Sequence, residues 1–249
     1  MLPQRINLIA YSTLAVIICY IDRVNISVAI IPMQEQFGWS DSQVGFIFSS
    51  FYLGYMLTMA LGGYLSDKFG GKRVLGWGVV LWSIFTILTP LAAHNGFFAL
   101  FFIRVLMGIG EGVTFPAWHS LYARWIPFNE RTRAIAFTNS GISIGTIIGY
   151  IGTQMIILAM GWEWAFYIFG IVGLVWFIFW YRNVTSYPND HQRITAEELA
   201  YIQENAPSSE PAKKVPLREL LVNKPFLAIV TATFANNWSL FVFLSFLPK

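Results

Sequence analysis

Seven apolar stretches, each long enough to cross a lipid bilayer as a helix, follow one another along this chain of 249 residues. A membrane-spanning helix needs about 20 predominantly apolar residues, whereas a strand is much shorter. The turns between the first six stretches are short. The sequence therefore predicts an all-α, multi-pass membrane protein, with spans at approximately 7–31, 43–65, 74–92, 98–122, 135–158, 164–182 and 225–247.

The composition agrees with a chain surrounded by the lipid bilayer. Apolar residues make up 56% of it and charged residues only 12%, about half the share found in soluble domains. The single cysteine, Cys19, excludes a disulfide framework and a cysteine-based metal site. No zinc-protease or nucleotide-binding motif occurs along the chain. We therefore expect no metal, no cofactor and no nucleic-acid partner.

Basic residues alternate between the two ends of the predicted spans. They precede the first span and occupy the second, fourth and sixth loops, whereas the first, third and fifth loops contain none. Because cytoplasmic loops are enriched in Lys and Arg, this pattern predicts a cytoplasmic N-terminus. The basic residues on that side are Arg5, Lys68, Lys72, Arg73, Arg124, Arg131, Arg133, Arg182, Arg193, Lys213, Lys214, Arg218 and Lys224.

The sixth loop, 183–224, is the only long one, and it separates six closely connected spans from the seventh. It contains Thr195-Ala196-Glu197-Glu198, a capping-box pattern that predicts a short surface helix over 196–205. We therefore expect a six-helix unit over 1–182, a cytoplasmic linker over 183–224, and the start of a further unit over 225–249.

Four charged residues lie inside predicted spans: Asp22 and Arg23 in the first, and Arg104 and Glu111 in the fourth. Each is costly in lipid unless it is paired, and the two positive and two negative charges can neutralise one another. One interpretation is a structural cluster that joins the two spans. The other is a polar cavity in which arginine binds an anion through its planar fork and a carboxyl group carries a coupling proton.

The spacing of these charges limits how they pair. Arg104 and Glu111 are about two helical turns apart and share one face. Asp22 and Arg23 are neighbours whose side chains point about 100° apart, so they cannot both closely approach one partner. Pro116 should kink the fourth span near Glu111 and free a backbone carbonyl there.

Small residues line one face of the fifth span. Glycines at a four-residue spacing predict a flat surface for close helix packing, here Gly141, Gly145, Gly149 and Gly152. The same segment contains Ser143 in a G-x-S-x-G pattern, the alternative being an intramembrane serine hydrolase. Such an enzyme needs a histidine beside the serine, but His94 and His191 are in loops and His119 is at the wrong end of its span. We expect no enzymatic activity.

The second loop reads GYLSDKFGGKR from Gly63 to Arg73. It closely resembles the signature between helices two and three of the major facilitator superfamily, with Gly71 in place of one basic residue. The resemblance implies a conformational latch, in which glycines let helices touch and Asp67 pairs with the basic end of a neighbouring helix. The residues assigned to this latch are Gly63, Asp67, Lys68, Gly70, Lys72 and Arg73.

Four further segments resemble the anion:cation symporter branch of that superfamily. They read DRVNISVA over 22–29, RVLMGIGEGVTFPAWH over 104–119, WIPFNER over 125–131 and NW over 237–238. That branch includes sialic acid, glutamate and phosphate carriers and bacterial sugar-acid symporters. Phe48 replaces the histidine usual in glutamate carriers, and Ile142 replaces a glutamine of some sugar-acid symporters. The resemblance therefore favours sialin-like organic anion and phosphate transporters.

The resemblance also implies roles for the buried charges. An arginine of the first span would anchor the substrate carboxylate, with polar residues lining the cavity around it. Two acids would carry protons, one of them modulated by the arginine of the fourth span. The implied substrate-binding residues are Arg23, Tyr20, Tyr55 and Asn237, and the implied proton-coupling residues are Asp22, Glu111 and Arg104.

The implied fold has two six-helix bundles, each a 3+3 inverted repeat, with the site between them at the membrane midplane. This chain would supply the N-terminal bundle and the first helix of the second, truncated bundle. Its partner would be the missing C-terminal bundle or a second copy of the chain. We expect it in a bacterial inner membrane or a eukaryotic plasma or organelle membrane.

The expected function is secondary active transport of a small organic anion, a carboxylate such as a sialic or sugar acid. The expected coupling ion is H+, with Na+ as the alternative. The rival interpretation is a truncated half that acts as a non-transporting assembly or regulatory module.

Overall fold

Helices make up most of the part of the chain that the structure describes. This computed structural model describes residues 3–205 without a break and short stretches between 222 and 243. A single 3-10 turn, Pro188–Asp190, interrupts the α-helices after the last long helix. The helices are α1 (Gln4–Phe37), α2 (Asp41–Phe69), α3 (Gly71–His94), α4 (Phe97–Glu111), α5 (Thr114–Trp125), α6 (Phe128–Met160), α7 (Trp162–Asn183) and α8 (Ala196–Glu204).

The all-α class is confirmed, and each of the first six predicted spans coincides with a long helix or a pair of helices. Within the described residues, five segments are long and apolar enough to cross a membrane, with α4 and α5 forming one of them. The helix α2 adds a sixth when its two halves, bent by 48°, are taken together. The predicted span at 225–247 lies largely outside the described residues.

The six spans form one bundle around α1, the most buried of them. The helix α1 packs against α6 and α7, whereas α4 packs against α2 and α3. The basic-side connections meet at one end of this bundle. There Arg5 pairs with Glu130, Arg124 pairs with Asp67, and the Trp180 indole donates to the Lys72 carbonyl. The alternation of charge along the sequence thus corresponds to two distinct ends of the folded bundle.

Three glycines of the predicted stripe let α6 approach α1 closely, whereas Gly152 lies against Phe169 of α7. An added Cβ at Gly141 would lie 3.0 Å from the Thr13 carbonyl oxygen, and one at Gly145 would lie 2.5 Å from that of Ile17. Gly149 faces the backbone of Ile21. Packing by small residues is the usual means of close helix contact in membranes. It places Gly149 of α6 against Ile21 and Val24, the residues on either side of Asp22 and Arg23.

The short helix α8 is held against the bundle by Glu198. Thr195 caps α8 by accepting from the Glu198 amide at 3.2 Å, which confirms half of the predicted capping box. The Glu198 carboxylate does not complete the box. It accepts instead from the Gln4 and Arg5 amides at 2.9 and 3.0 Å and so caps the N-terminus of α1.

Replacing Glu198 with alanine should release α8 from the bundle. The change removes two charge-assisted hydrogen bonds at the start of α1 together with an ion pair to Arg5 at 3.3 Å. We expect amide hydrogen exchange over α8 to rise by at least about tenfold, since each such bond contributes roughly 1.5–3 kcal/mol. The matched control is Glu197→Ala, a neighbouring exposed acid; equal exchange in both variants would contradict this docking.

Glycines also bring α2 and α4 into backbone contact. A Cβ on Gly108 would collide with the carbonyl oxygen of Phe51, and a Cβ on Gly54 would collide with that of Val105. Both neighbours are backbone atoms, which cannot turn aside as a side chain can. The α2–α4 distance is therefore fixed by these two positions.

Gly108→Ala should destabilise the bundle, by about 1–3 kcal/mol, because it overpacks a backbone contact. The measurement is the thermal unfolding midpoint of the purified protein. Gly45→Ala on α2 is the matched control, since no atom lies within 4 Å of a Cβ added there. A midpoint for Gly108→Ala no lower than that of Gly45→Ala would show that the two backbones are not in contact.

Candidate functional site

The four intramembrane charges are buried within the bundle. Asp22 and Glu111 are 0% exposed, Arg104 is 2% exposed and Arg23 is 4% exposed. The ion pair at the centre of the site joins α1 to α4. The Arg23 Nη2 atom lies 2.9 Å from Glu111 Oε2, and Nε lies 3.3 Å from the same oxygen.

Asp22 faces a different helix from Arg23. Its Oδ2 atom accepts from the Trp82 indole on α3 at 3.1 Å. This divergence follows from the angle between adjacent residues on a helix, so the predicted separation of the two side chains is confirmed. Trp82 is a site residue that the sequence analysis missed, because a tryptophan in an apolar span carries no signal distinguishing it from core.

Aromatic rings surround the Arg23 guanidinium. Its Cζ atom lies 4.7 Å from the ring centre of Tyr20 and 4.9 Å from that of Tyr55, with Phe51 at 5.3 Å. Rings at this distance attract a cation through their quadrupole, most strongly where water is excluded. Tyr20 and Tyr55 therefore lie beside Arg23 as expected, and Phe51 is an addition.

Cys19 completes the contacts of the ion pair. Its thiol donates to Glu111 Oε2 at 3.2 Å, and Arg23 Nη2 lies 3.7 Å from its sulfur. Cys19 and Arg23 are four residues apart and share one helix face, a signal present in the sequence. Within the described part of the chain, no three potential metal-ligating side chains converge.

Arg104 does not pair with Glu111. Its Nη1 atom contacts the sulfur of Met107 at 3.1 Å, and its Cζ lies 5.1 Å from the Phe51 ring centre. Among the described residues, Arg104 has no carboxylate within ion-pair distance. Its Nε atom and Glu111 Oε1 are buried without a hydrogen-bond partner there. The site thus holds one closed ion pair beside one unpaired arginine.

The fourth span breaks immediately after Glu111. The helix α4 ends at Glu111 and α5 begins at Thr114. Pro116 lacks the amide that would bond to the carbonyl of Gly112, so the helix is interrupted where the sequence predicts. The break leaves Glu111 at the last position of α4, opposite Arg23.

The implied latch lies at the basic end of the bundle, away from these charges. Asp67 is 3.4 Å from Arg124 on α5, and Ser120 donates to the same carboxylate oxygen at 3.4 Å. Gly70 connects α2 to α3 with a φ of +86°, which favours glycine. A Cβ on Gly63 would meet no atom within 4 Å, so the expectation of close packing at Gly63 is wrong.

Four predicted site residues remain, namely the latch cations Lys68, Lys72 and Arg73 and the cavity residue Asn237. Lys72 lies over the Tyr181 ring with Nζ 4.5 Å from its centre. Lys68 and Arg73 are exposed. Asn237 lies outside the described residues.

Comparison with known proteins gives one family over nearly the whole chain. A family model described as Major Facilitator Superfamily matches residues 12–249. The chain is 42% identical to "Probable anion transporter 4, chloroplastic" from Oryza sativa subsp. japonica. It is 41% identical both to "Sodium-dependent phosphate transport protein 1, chloroplastic" and to "Ascorbate transporter, chloroplastic" from Arabidopsis thaliana.

Each of these alignments covers 99% of this chain but only 42%, 48% and 46% of the respective relative. The chain therefore spans about half the length of the curated relatives it matches.

Solved structures show the same fold at lower identity. The inward-open xylose transporter XylE from E. coli matches with a TM-score of 0.75 and 18% identity, over 98% of this chain and 64% of that one. A bacterial homologue of the human lysosomal transporter Spinster, inward-facing and occupied, matches with a TM-score of 0.67 and 23% identity, over 78% of this chain and 47% of that one.

Proposed function

Because this chain belongs to the major facilitator superfamily, we propose that it forms half of a secondary active transporter for a small anion, coupled to protons. The family and its members are transporters and not enzymes, and the apolar spans make the chain an integral membrane protein. The observation that carries the proposal is the buried Arg23–Glu111 ion pair at 2.9 Å, with a second buried arginine beside it.

The two buried arginines indicate the chemical class of the substrate. Arg23 and Arg104 present planar guanidinium groups in a water-excluded site, which suits a carboxylate or a phosphate. Relatives named for phosphate and for ascorbate transport support an anion of this kind. In the proposal Arg23 anchors the anion, Tyr20 and Tyr55 line the site, and Asn237 lines it from the seventh span.

In this proposal, anion binding is coupled to proton uptake because the buried site must keep its net charge at zero. The site holds Arg23, Arg104, Asp22 and Glu111, whose formal charges sum to zero, and a net charge in such a site is expensive. A monovalent anion can replace the Glu111 carboxylate at Arg23 without changing that sum if Glu111 takes up one proton. Glu111 Oε1, buried without a hydrogen-bond partner among the described residues, is the oxygen proposed to receive it.

Asp22 and Arg104 form the second half of the proposed mechanism. Asp22, held by Trp82 at 3.1 Å, can accept a second proton when the anion is divalent. Arg104, on the same face of α4 as Glu111, is proposed to modulate Glu111 and to offer the anion a second cation. Release of the anion then returns the proton and re-forms the Arg23–Glu111 pair.

A second bundle completes the cavity in this proposal. The helix α6 exposes polar side chains along the length of its predicted span, among them Asn139, Ser143 and Gln154. Polar groups inside a membrane usually face protein or water and not lipid. We place the C-terminal bundle, or a second copy, against them, with residues 1–182 as the first bundle and 183–224 as the linker.

The basic end of the bundle is proposed to face the cytoplasm, following the positive-inside rule. The Asp67–Arg124 pair, at 3.4 Å, would stabilise one conformation of the two bundles from that side. Rocking of the bundles about the central site would expose it alternately to each side of the membrane.

The test is uptake by the full-length native protein in liposomes. An outside-acid pH gradient should drive accumulation of labelled phosphate, ascorbate or a sugar acid, and not of the neutral sugar xylose. Uptake of none of these anions, together with crosslinking to a partner protein in native membranes, would favour the non-transporting assembly module instead.

A further inference from the structure

A polar pocket of about 680 Å³ opens at the basic end of the bundle, apart from the buried charged site. It lies between the ends of α1, α3 and α7 and the segment that follows α7. Its charged lining consists of Lys72, Arg182 and Arg193 against one carboxylate, Asp190, with His191 at its floor. Apart from Lys72, which belongs to the implied latch, none of these residues has a role in the proposed transport mechanism.

The floor of this pocket is held in place by several contacts. His191 Nε2 lies 3.2 Å from the carbonyl oxygen of Asn183, and its Nδ1 accepts from the Arg193 amide at 3.2 Å. The His191 ring packs edge-on against Trp125, with ring centres 5.6 Å apart. Asn183 donates to the Tyr11 hydroxyl at 3.0 Å. The segment after α7 is thereby fixed to α5 and α7, and the end of α7 is fixed to α1.

The cations of this pocket are available to a ligand. Among the described residues, Lys72, Arg182 and Arg193 have no carboxylate within 4.0 Å. Lys72 is fixed at its backbone by the Trp180 indole, at 2.9 Å, and lies over the Tyr181 ring. A preformed pocket with unpaired cations suits an anion with several acceptor oxygens, of which phosphate is the common biological case.

The surroundings of this pocket place it at the lipid boundary. The helices α3 and α7, which supply Lys72 and Arg182 to the pocket, also expose large apolar residues, among them Trp77, Ile178 and Phe179. Tyr181, whose ring centre lies 4.5 Å from Lys72 Nζ, is also exposed, and tyrosine and tryptophan are enriched at the level of lipid headgroups. A headgroup phosphate can reach the cations while its acyl chains lie along these apolar faces.

We propose that this pocket binds the phosphate headgroup of an anionic phospholipid. Basic pockets between membrane helices are suited to such headgroups. The bound lipid would bridge α3, α7 and the start of α1 at the basic end of the bundle. A soluble phosphate would satisfy the same cations, and the experiment separates the two sources.

The test is native mass spectrometry of the full-length protein released from nanodiscs of phosphatidylcholine and phosphatidylglycerol. The native protein should retain phosphatidylglycerol. Arg182→Gln/Arg193→Gln should retain at least about tenfold less, since each basic side chain contributes roughly fivefold. Arg182→Lys/Arg193→Lys keeps both charges and should retain the lipid, which shows that loss does not come from misfolding.

The control variant is Arg133→Gln/Lys224→Gln, which removes two exposed basic residues that do not line the pocket. It should retain the lipid. Equal retention by the native protein and the Arg182/Arg193 glutamine variant would overturn the proposal, as would equal loss in the control. Displacement of phosphatidylglycerol by inorganic phosphate at matched ionic strength would also overturn it, because the ligand would then be soluble.

Discussion

Arg23→Ala should both destabilise the bundle and abolish anion transport, and removing Glu111 as well should restore only the stability. The single change leaves the Glu111 carboxylate buried without its cation, which costs roughly 3–5 kcal/mol for a buried pair. It also removes the cation that the proposed mechanism uses to hold the anion. The rate of uptake is expected to fall by more than the amount of folded protein in the preparation falls.

The double variant Arg23→Ala/Glu111→Ala separates the two effects. Removing both members of a buried ion pair leaves no uncompensated buried charge, which is the main cost of removing only one. We therefore expect its thermal unfolding midpoint to lie well above that of Arg23→Ala, while uptake stays at background. Arg133→Ala, at an exposed position on the basic end of α6, controls for the loss of an arginine.

Uptake and unfolding should be measured on the same preparations of full-length protein. Normal uptake by Arg23→Ala would remove this residue as the anion anchor. A double variant no more stable than Arg23→Ala would contradict the Arg23–Glu111 pairing itself.

Glu111→Gln should leave a transporter whose uptake no longer responds to a pH gradient. Glutamine keeps the size of the side chain and can still accept from Arg23 and Cys19, but it cannot take up a proton. With one proton per monovalent anion, each pH unit is worth about 1.4 kcal/mol, so the native protein should concentrate the anion up to about tenfold per unit. The variant should equilibrate the anion and go no further.

The matched control is Glu163→Gln, an acid at the opposite end of the bundle that lies 3.7 Å from His94. It should accumulate anion as the native protein does. The measurement is the steady-state ratio of labelled anion inside and outside liposomes at a series of imposed gradients. An unchanged dependence on the gradient in Glu111→Gln would remove Glu111 as a proton carrier.

Much of the bundle follows from the sequence because length and apolar character decide which segments span a membrane. Asp22, Arg23, Arg104 and Glu111 can be recognised from the sequence because charged residues are rare inside spans. The divergence of Asp22 from Arg23 can also be predicted, because it depends only on the geometry within one helix. The interruption of the helix near Glu111 follows from the missing amide of Pro116.

The sequence alone does not predict contacts between helices, because the rotation of one helix against another depends on packing over the whole bundle. Arg104 and Glu111 share a face of α4, yet Glu111 pairs with Arg23 across the α1–α4 contact. The Trp82 indole reaches Asp22 from α3 for the same reason. Glu198 capping α1 instead of its own helix joins residues almost 200 positions apart, which no local pattern encodes.

The central claim is that the anion and a proton enter the buried site together, with Glu111 receiving the proton. Infrared difference spectroscopy of the full-length protein, with and without a saturating monovalent anion that it transports, tests this most directly. We predict that anion binding produces the carbonyl stretch of a newly protonated carboxyl group, and that this band is lost in Glu111→Gln but kept in Glu163→Gln. Anion binding with no such band in the native protein, or with a band that persists in Glu111→Gln, would contradict the account.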